Sequence, residues 1–173
     1  MNELVFTKLS SGLYLIATRL GGETDASITG SLSLITYSPY RICFSLEKNS
    51  HTSKLLSESK KAVISVLYTR ANADLFDYFS DQKECKKEKF RTDCNDYPYA
   101  LTPDGIPYLK KQANAYLICQ IISTTDLGTH TLFLGECLDG DVLHEDSGFM
   151  FRHTQTSLQR NVMSSQNGKE DNM

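Results

Sequence analysis

Short apolar runs, rich in β-branched residues and bounded by glycine or proline, recur along this sequence and favour strands over long helices. Residues 13–18 form the first run, and Gly21 and Gly22 predict the hairpin turn after it. Further strands are predicted at residues 41–46, 62–67, 113–122, 131–137 and 148–152. So many short strands predict a mainly β fold, a β-barrel with a few short helices.

Residues 28–36 alternate in polarity and predict one strand with two different faces. Thr29, Ser31, Ser33 and Ile35 share one face, and Thr36 ends the run shortly before Pro39. Closely spaced hydroxyls can bind the polar edge of a ring or a polyol chain. An ordinary solvent-facing strand is the alternative interpretation.

The alternation typical of strands is absent at residues 50–59, and their pattern predicts a short helix. Lys48, Asn49, Ser50, His51 and Thr52 surround its start. Unpaired N–H groups and the positive end of the helix dipole favour an anion there. A plain N-cap is the alternative. Residues 71–79 predict a second short helix.

Residues 128–131, Gly-Thr-His-Thr, precede a strongly apolar strand and place His130 at a strand mouth. There His130 could contact a substrate, although a lone histidine is more often structural. The other histidines offer no metal-ligand spacing, and no cysteine pair has Cys-x-x-Cys spacing. No Gly-x-Ser-x-Gly motif or Rossmann glycine fingerprint is found.

Composition limits the remaining classes of function. The net charge is −3, so nucleic acid is not an expected partner. The longest apolar runs are too short for a helix that spans a bilayer, so a membrane is not expected either. The start of the chain lacks the pattern of a signal peptide, and five cysteines at irregular spacing are not a disulfide framework. A cytoplasmic setting is expected. Residues 83–96 predict an exposed loop, and residues 157–173 a disordered tail after a single domain at residues 1–156.

Five stretches in this order resemble the flavin reductase-like FMN-binding split-barrel family, which includes flavin reductases, flavoredoxins and the flavin domains of high-molecular-weight rubredoxins. They are residues 12–18 (GLYLIAT), 35–42 (ITYSPYRI), 48–52 (KNSHT), 105–109 (GIPYL) and 128–135 (GTHTLFLG). The resemblance implies a six-stranded Greek-key split barrel and a homodimer with FMN near its interface.

The resemblance also implies roles for particular residues. Ser50 and Thr52 would help hold the FMN phosphate, and His130 would sit near the nicotinamide or the flavin as the catalytic candidate. The expected cofactor-binding residues are Thr29, Gly30, Ser31, Leu34, Ile35, Thr36, Asn49, Ser50, Thr52 and Ser80. The chain departs from the family pattern at Gly30, where asparagine is frequent, at Thr129, where aspartate is frequent, and at Asp81-Gln82, where Gly-Arg occurs in rubredoxin-type relatives.

The expected function is an NAD(P)H-dependent flavin reductase that passes electrons through bound FMN, with NADH or NADPH as the donor. One alternative is a non-catalytic FMN-binding electron-transfer module that serves a redox protein acceptor. A second is a split-barrel protein that has lost its flavin.

Overall fold

The computed structural model describes residues 3–68, 75, 78–79, 89–90, 97–145 and 151–152. A 3-10 helix at Glu3–Lys8 is followed by the strands and the helix α1, with these bounds: β1 (Ser10–Ser11), β2 (Tyr14–Leu20), β3 (Glu23–Thr29), β4 (Ser33–Tyr37), β5 (Tyr40–Glu47), α1 (His51–Ser59), β6 (Lys61–Leu67), β7 (Tyr99–Leu101), β8 (Pro107–Leu109), β9 (Ala113–Asp126), β10 (His130–Val142) and β11 (Phe151–Arg152).

The fold is mainly β, as predicted, but its main sheet has seven strands rather than six. The strands lie in the order β3-β2-β6-β9-β10-β5-β4, and all neighbours are antiparallel. The extra strand comes from residues 28–36, for which the prediction of one continuous strand is wrong. β3 ends at Thr29, the chain turns through residues 30–32, and β4 begins at Ser33.

Side chains at this break close the barrel between β3 and β5. Thr29 Oγ1 donates a hydrogen bond to the carbonyl oxygen of Ser45 at 2.9 Å, and the Ser45 N–H donates to Ser31 Oγ at 2.9 Å. These bonds join β3 to β5, two strands that form no backbone ladder with each other. The chain therefore leaves β3 and continues along the outer edge of β5 as β4.

The hairpin between β2 and β3 confirms the turn predicted at Gly21 and Gly22. Leu20 pairs with Glu23, so the loop has two residues, and both glycines have positive φ angles of 57° and 98°. Two consecutive positive φ angles match a type I′ turn, which suits the right-handed twist of the flanking strands.

The barrel interior is filled by one face of five strands and by α1. Phe44 of β5 and Phe133 of β10 stack with ring centroids 5.4 Å apart, and both are fully buried. Ile16, Ile64 and Cys119 pack in the same cluster. Burying each large apolar side chain contributes about 2 kcal/mol, so this cluster is a main source of stability.

The opposite faces of β2 and β6 form a second core, outside the barrel. Leu15 and Val63 pack there against Leu75 and Phe79, which are helical as predicted for residues 71–79. Tyr78 is helical as well, and the remaining residues of that predicted helix lie outside the described residues. Phe90 also packs against this core, so the prediction of an exposed loop at 83–96 is wrong at Lys89 and Phe90, both half-buried.

The hairpin of β9 and β10 is longer than predicted at both strands, because the chain keeps pairing to Asp126 and on to Val142. Of the strand predicted at 148–152, Phe151 and Arg152 are described, and they pair with β1. Among the described residues, no helix is long and apolar enough to cross a membrane.

Candidate functional site

The C-terminal end of β5 brings together three groups that are far apart in the sequence. Ser45 bonds to the segment after β3, Glu47 pairs with His130 of β10, and Ser50 is the N-cap of α1. The polar strand end, the helix start and the candidate histidine predicted from the sequence therefore meet at one end of the barrel.

The hydroxyl cluster at this end consists of Thr29, Ser31 and Ser45. Ser31 Oγ lies 2.9 Å from Thr29 Oγ1 and 2.8 Å from Ser45 Oγ. The Ser31 N–H donates to Thr29 Oγ1 at 3.2 Å. Ser31 itself is exposed, so its hydroxyl can exchange one of these partners for a polar ligand atom.

Ser50 begins α1 as a conventional N-cap. Its Oγ accepts from the Ser53 N–H at 3.2 Å and donates to the carbonyl oxygen of Glu47 at 2.8 Å. Within the described part of the chain, the N–H groups of His51 and Thr52 have no acceptor. Such free groups at the positive end of a helix suit an anion.

Thr52 is fully buried, and its hydroxyl faces β3. It donates to Asp25 Oδ2 at 2.6 Å and lies 2.7 Å from Ser27 Oγ. Since the single Thr52 proton is given to the carboxylate, Ser27 is the donor in the second bond. The side chain of Thr52 thus ties α1 to β3, and its backbone N–H is the group left for a ligand.

Lys89 balances the charge of this buried carboxylate. Its Nζ lies 2.9 Å from Asp25 Oδ1 and donates to the carbonyl oxygen of Ala26 at 2.6 Å. The Asp25 side chain is 9% exposed and that of Lys89 21%, so the pair is largely withdrawn from water. A carboxylate buried there without a cation would be strongly unfavourable.

The turn between β9 and β10 is fixed to the start of α1 through Lys48. The Lys48 ammonium donates to Asp126, and the Lys48 N–H donates to the carbonyl oxygen of Thr129 at 3.0 Å. The hydrogen bond from Lys48, followed by one from the Gly128 N–H, lowers the pKa of the Asp126 carboxyl. Gly128 has a φ of 87°, a conformation that glycine adopts without strain.

His130 is exposed at this turn. Its Nδ1 lies 2.9 Å from Thr129 Oγ1, and its carbonyl oxygen accepts from the Leu127 N–H at 2.8 Å. Among the described residues, Nε2 has no hydrogen-bond partner. One ring nitrogen is therefore available to a ligand at the mouth of the barrel.

Gly30 and Asn49 also lie at this end, Gly30 half-buried in the break after β3 and Asn49 exposed in the turn before α1. Three other predicted site residues lie farther away on β4. Leu34 and Ile35 are about half exposed, and Thr36 donates to the carbonyl oxygen of Pro39 at 2.6 Å. Ser80 lies outside the described residues.

Sequence reasoning missed three contributors, Asp25, Ser27 and Ser45. Each had a local signal, because Asp25 and Ser27 extend the alternation of Thr29 and Ser31 toward the start of β3, and Ser45 lies between apolar positions of β5. The sequence suggests Lys89 as a cation that could hold FMN, whereas the structure pairs it with Asp25. That pairing had no local signal, since the two residues are distant in the sequence.

A family model described as "Flavin reductase like domain" matches residues 6–158 of the chain. The chain belongs to the flavin reductase-like family. The resemblance inferred from the five short stretches is thereby confirmed.

Two relatives illustrate the range of this family. The chain is 29% identical over 145 residues to a ferric-chelate reductase (NAD(P)H) of Archaeoglobus fulgidus, with 84% of this chain and 83% of the relative covered. It is 30% identical over 143 residues to a high molecular weight rubredoxin of Moorella thermoacetica. That match covers 83% of this chain and 61% of the rubredoxin.

Solved structures of flavin reductases share the fold. The NADH:FAD oxidoreductase SgcE6 of Streptomyces globisporus C-1027 superposes with a TM-score of 0.73 at 21% identity, covering 86% of this chain and 85% of that one. Flavin reductase HpaC complexed with NADP+ gives a TM-score of 0.69 at 22% identity, with 85% and 88% covered. The split-barrel architecture is therefore that of flavin reductases.

The residues at the end of β5 fit a flavin of this family. The exposed Ser31 hydroxyl suits a polar ring edge or a ribityl chain, and the free N–H groups of His51 and Thr52 suit a phosphate. Leu34 and Ile35 offer exposed apolar surface on the neighbouring edge strand. No group of three or more potential metal ligands is found within the described ranges.

Proposed function

We propose that this flavin reductase-like protein binds one FMN per subunit without a covalent bond and reduces it with NADH or NADPH. The observation that carries the proposal is the meeting of three features at the end of β5: the hydroxyl cluster, the start of α1 and His130. A ring, a polyol chain and a phosphate need different partners, and these features supply them side by side.

In this proposal the phosphate lies at the start of α1. The N–H groups of His51 and Thr52 donate to it, with Asn49 and the Ser50 cap beside them. The proposed role of the Ser50 and Thr52 hydroxyls requires each to exchange a present partner, Glu47 or Asp25, for a phosphate oxygen. Lys89 keeps the nearby Asp25 carboxylate neutralised, which limits its repulsion of the phosphate.

Thr29, Gly30 and Ser31 run beside the ring and the ribityl chain, and Leu34, Ile35 and Thr36 continue along it. Ser80 is proposed as a further contact from the chain after the second helix. A bound flavin supplies the hydride and electron chemistry. The residues of this chain bind it, orient it and shield its ring from water, and none of them has to act as an acid or a base.

His130 is proposed to contact the nicotinamide. Its exposed ring, with Nε2 available, is positioned by Thr129 and by the pairing of β10 with Glu47. A neutral donor or acceptor there can orient the carboxamide of NAD(P)H against the flavin.

We further propose a homodimer that works in the cytoplasm. The exposed apolar side chains of Leu34, Ile35, Tyr37 and Tyr40 cluster on the edge strand β4 and on its turn into β5. An edge strand with this much apolar surface favours cover by a second copy. The functional domain is proposed to span residues 1–156, with 157–173 as a dispensable tail.

The match to a high molecular weight rubredoxin favours one further candidate, an FMN module that relays electrons to a protein acceptor. The match to a ferric-chelate reductase adds a ferric chelate to the acceptors worth testing.

The test is an anaerobic titration of the purified protein, reconstituted with FMN, by NADH and NADPH. Rapid bleaching of the flavin absorbance by NADH or NADPH supports the reductase. Binding of FMN with bleaching by dithionite alone supports the relay, which is then tested with a rubredoxin and a ferric chelate. A protein that takes up no FMN at micromolar concentration contradicts both.

A further inference from the structure

Two cysteines face each other across the β9–β10 hairpin, away from His130 and the start of α1. Cys119 and Cys137 are direct partners in the register, and their sulfur atoms lie 3.5 Å apart. Directly opposed residues of an antiparallel pair point to the same face, with Cα atoms about 4.5–5.5 Å apart. That spacing lies within the range that a disulfide bond requires.

The surroundings leave room for the two sulfurs to approach. Gly135 is the next residue of β10 on the same face, and a Cβ built there would lie 3.6 Å from the Cβ of Cys119. Because Gly135 has no side chain, no Cβ occupies this position beside the pair. On the other side of Cys119, its partner on β6 is the small residue Ala62. Two of the positions that flank Cys119 therefore carry a methyl group or no side chain at all.

The two thiols are chemically unequal. Cys119 is 1% exposed within the barrel core, whereas Cys137 is half-buried at its edge. The Cys119 S–H donates to the Cys137 sulfur, which raises the pKa of Cys119 and lowers that of Cys137. Burial and the neighbouring Glu136 act against the second shift without reversing it. The more accessible sulfur is thus also the better nucleophile.

We propose that Cys119 and Cys137 form a peroxide-reactive dithiol that closes to a disulfide between β9 and β10. The Cys137 thiolate attacks one oxygen of hydrogen peroxide, the O–O bond breaks, and hydroxide leaves to give a sulfenic acid. Cys119 sulfur then attacks the Cys137 sulfur and the S–O bond breaks. The Cys119 proton leaves with the oxygen as water, so two thiols and one peroxide give one disulfide and two waters.

This pair lies away from His130 and the start of α1. Cys137 follows His130 by seven positions along β10, which corresponds to roughly 20 Å along an extended strand. Because peroxide is the oxidant, the reaction needs no electron from a flavin and goes beyond the proposed function. A reduced flavin could supply the peroxide, because it reacts with dioxygen to give hydrogen peroxide. The dependence on the proposed function is limited to this one source.

Cys43 provides a matched control. It is half-buried on β5, as Cys137 is on β10, and among the described residues it has no sulfur partner. Cys85 and Cys94 lie outside the described residues. A variant with Cys43, Cys85 and Cys94 changed to serine retains the pair alone, and a second variant retains Cys43 alone.

The experiment treats both variants with stoichiometric hydrogen peroxide, alkylates the remaining thiols after denaturation and maps them by mass spectrometry. We expect both thiols of the pair to be lost together, with a peptide cross-link between Cys119 and Cys137 that dithiothreitol removes. Cys137 should react about 10-fold faster than Cys43, since its thiolate is favoured. Adding Cys119→Ser should stop the reaction at a sulfenic acid that dimedone traps on Cys137.

Two results would overturn the proposal: Cys119 remaining alkylatable after Cys137 has reacted, or equal rates at Cys137 and Cys43. The wild-type protein gives a second test that does not depend on the serine variants folding. In wild type, the linkage of Cys119 to Cys137 should dominate the non-reduced peptide map. Linkages that instead join Cys85 or Cys94 to either residue would contradict the proposal.

Discussion

Thr52 and Asp25 are joined by a 2.6 Å hydrogen bond that ties the first turn of α1 to β3. Lys89 Nζ lies 2.9 Å from the other oxygen of the same carboxylate. The helix start proposed to bind phosphate is therefore held in place by a buried charge pair. The same bond uses the hydroxyl proton of Thr52, which leaves its backbone N–H as the donor for a ligand.

The buried pair leads to a stability prediction. Lys89→Met leaves the Asp25 carboxylate buried without its cation and should lower the free energy of unfolding by about 3 kcal/mol. Lys61→Met is the control, because Lys61 and Asp104 form a pair with both side chains more than half exposed, and its loss should cost about 0–1 kcal/mol. Urea unfolding of both variants checks the difference. Equal, small effects would show that Lys89 does not support Asp25.

A ligand prediction follows for the helix start. Ser50→Ala with Thr52→Ala removes the cap of α1 and its tie to β3, which together hold the first turn of the helix in place. The N–H groups proposed to donate to the phosphate then lose their fixed positions, and each weakened bond to this charged acceptor should cost roughly 1.5–3 kcal/mol of FMN binding. Riboflavin, which lacks the phosphate, should keep its affinity. Titrations of the apoprotein with both ligands measure the ratio.

The control for this variant is Ser57→Ala. Ser57 donates to the carbonyl oxygen of Ser53 at 2.8 Å within the same helix, away from its first turn. Its loss should change neither affinity. Equal weakening of FMN and riboflavin in the double variant would locate the phosphate elsewhere.

The parts of the fold that the sequence predicted are those with a strong local pattern. β6, β9 and β10 are apolar runs next to turn residues, and the two-glycine turn after β2 has its own signature. The break after Thr29 could not be read locally. It depends on hydrogen bonds between Ser31 in the break and Ser45 on β5, which are distant in the sequence, whereas the alternation of residues 28–36 continues through the break.

The candidate site was predictable to a similar degree. Ser50 and His130 were found because a helix start and a strand mouth leave local signals. The tertiary partners that fix them, Asp25 for Thr52 and Lys48 for the β9–β10 turn, depend on which strands become neighbours. The sequence thus indicated which polar residues would lie at the end of the barrel. It could not indicate which of their donors and acceptors would be bonded to other residues of the protein.

The apolar side chains on β4 lead to a prediction about assembly. A homodimer should form, because Leu34, Ile35, Tyr37 and Tyr40 would otherwise leave an apolar edge in water. Light scattering at micromolar concentration should give twice the chain mass of 19.5 kDa. Tyr37→Lys should weaken the dimer, whereas Val142→Lys, an exposed apolar residue on β10, serves as the control. A mass of 19.5 kDa for the wild type would contradict the prediction.

Residues 157–173 lead to a prediction about truncation. This segment is mostly polar and offers few apolar side chains to offset its ordering entropy. Removing it should leave the melting temperature and the FMN affinity of the protein unchanged. Differential scanning fluorimetry and a flavin titration test this. A lower melting temperature, or loss of flavin, would show that the segment packs on the domain.

The last prediction concerns His130. The ring is exposed beside the start of α1, and Nδ1 is oriented by Thr129 at 2.9 Å. If Nε2 contacts the nicotinamide, His130→Ala should slow flavin reduction by NAD(P)H about 10-fold, which corresponds to ~1.4 kcal/mol. FMN affinity and reduction by dithionite should not change.

His144→Ala is the control, because His144 is also exposed and bonds to the carbonyl oxygen of Lys110 at 3.0 Å. Stopped-flow reduction with parallel melting curves separates the alternatives. A purely structural role would lower the melting temperature of the His130 variant and leave the hydride step at the wild-type rate.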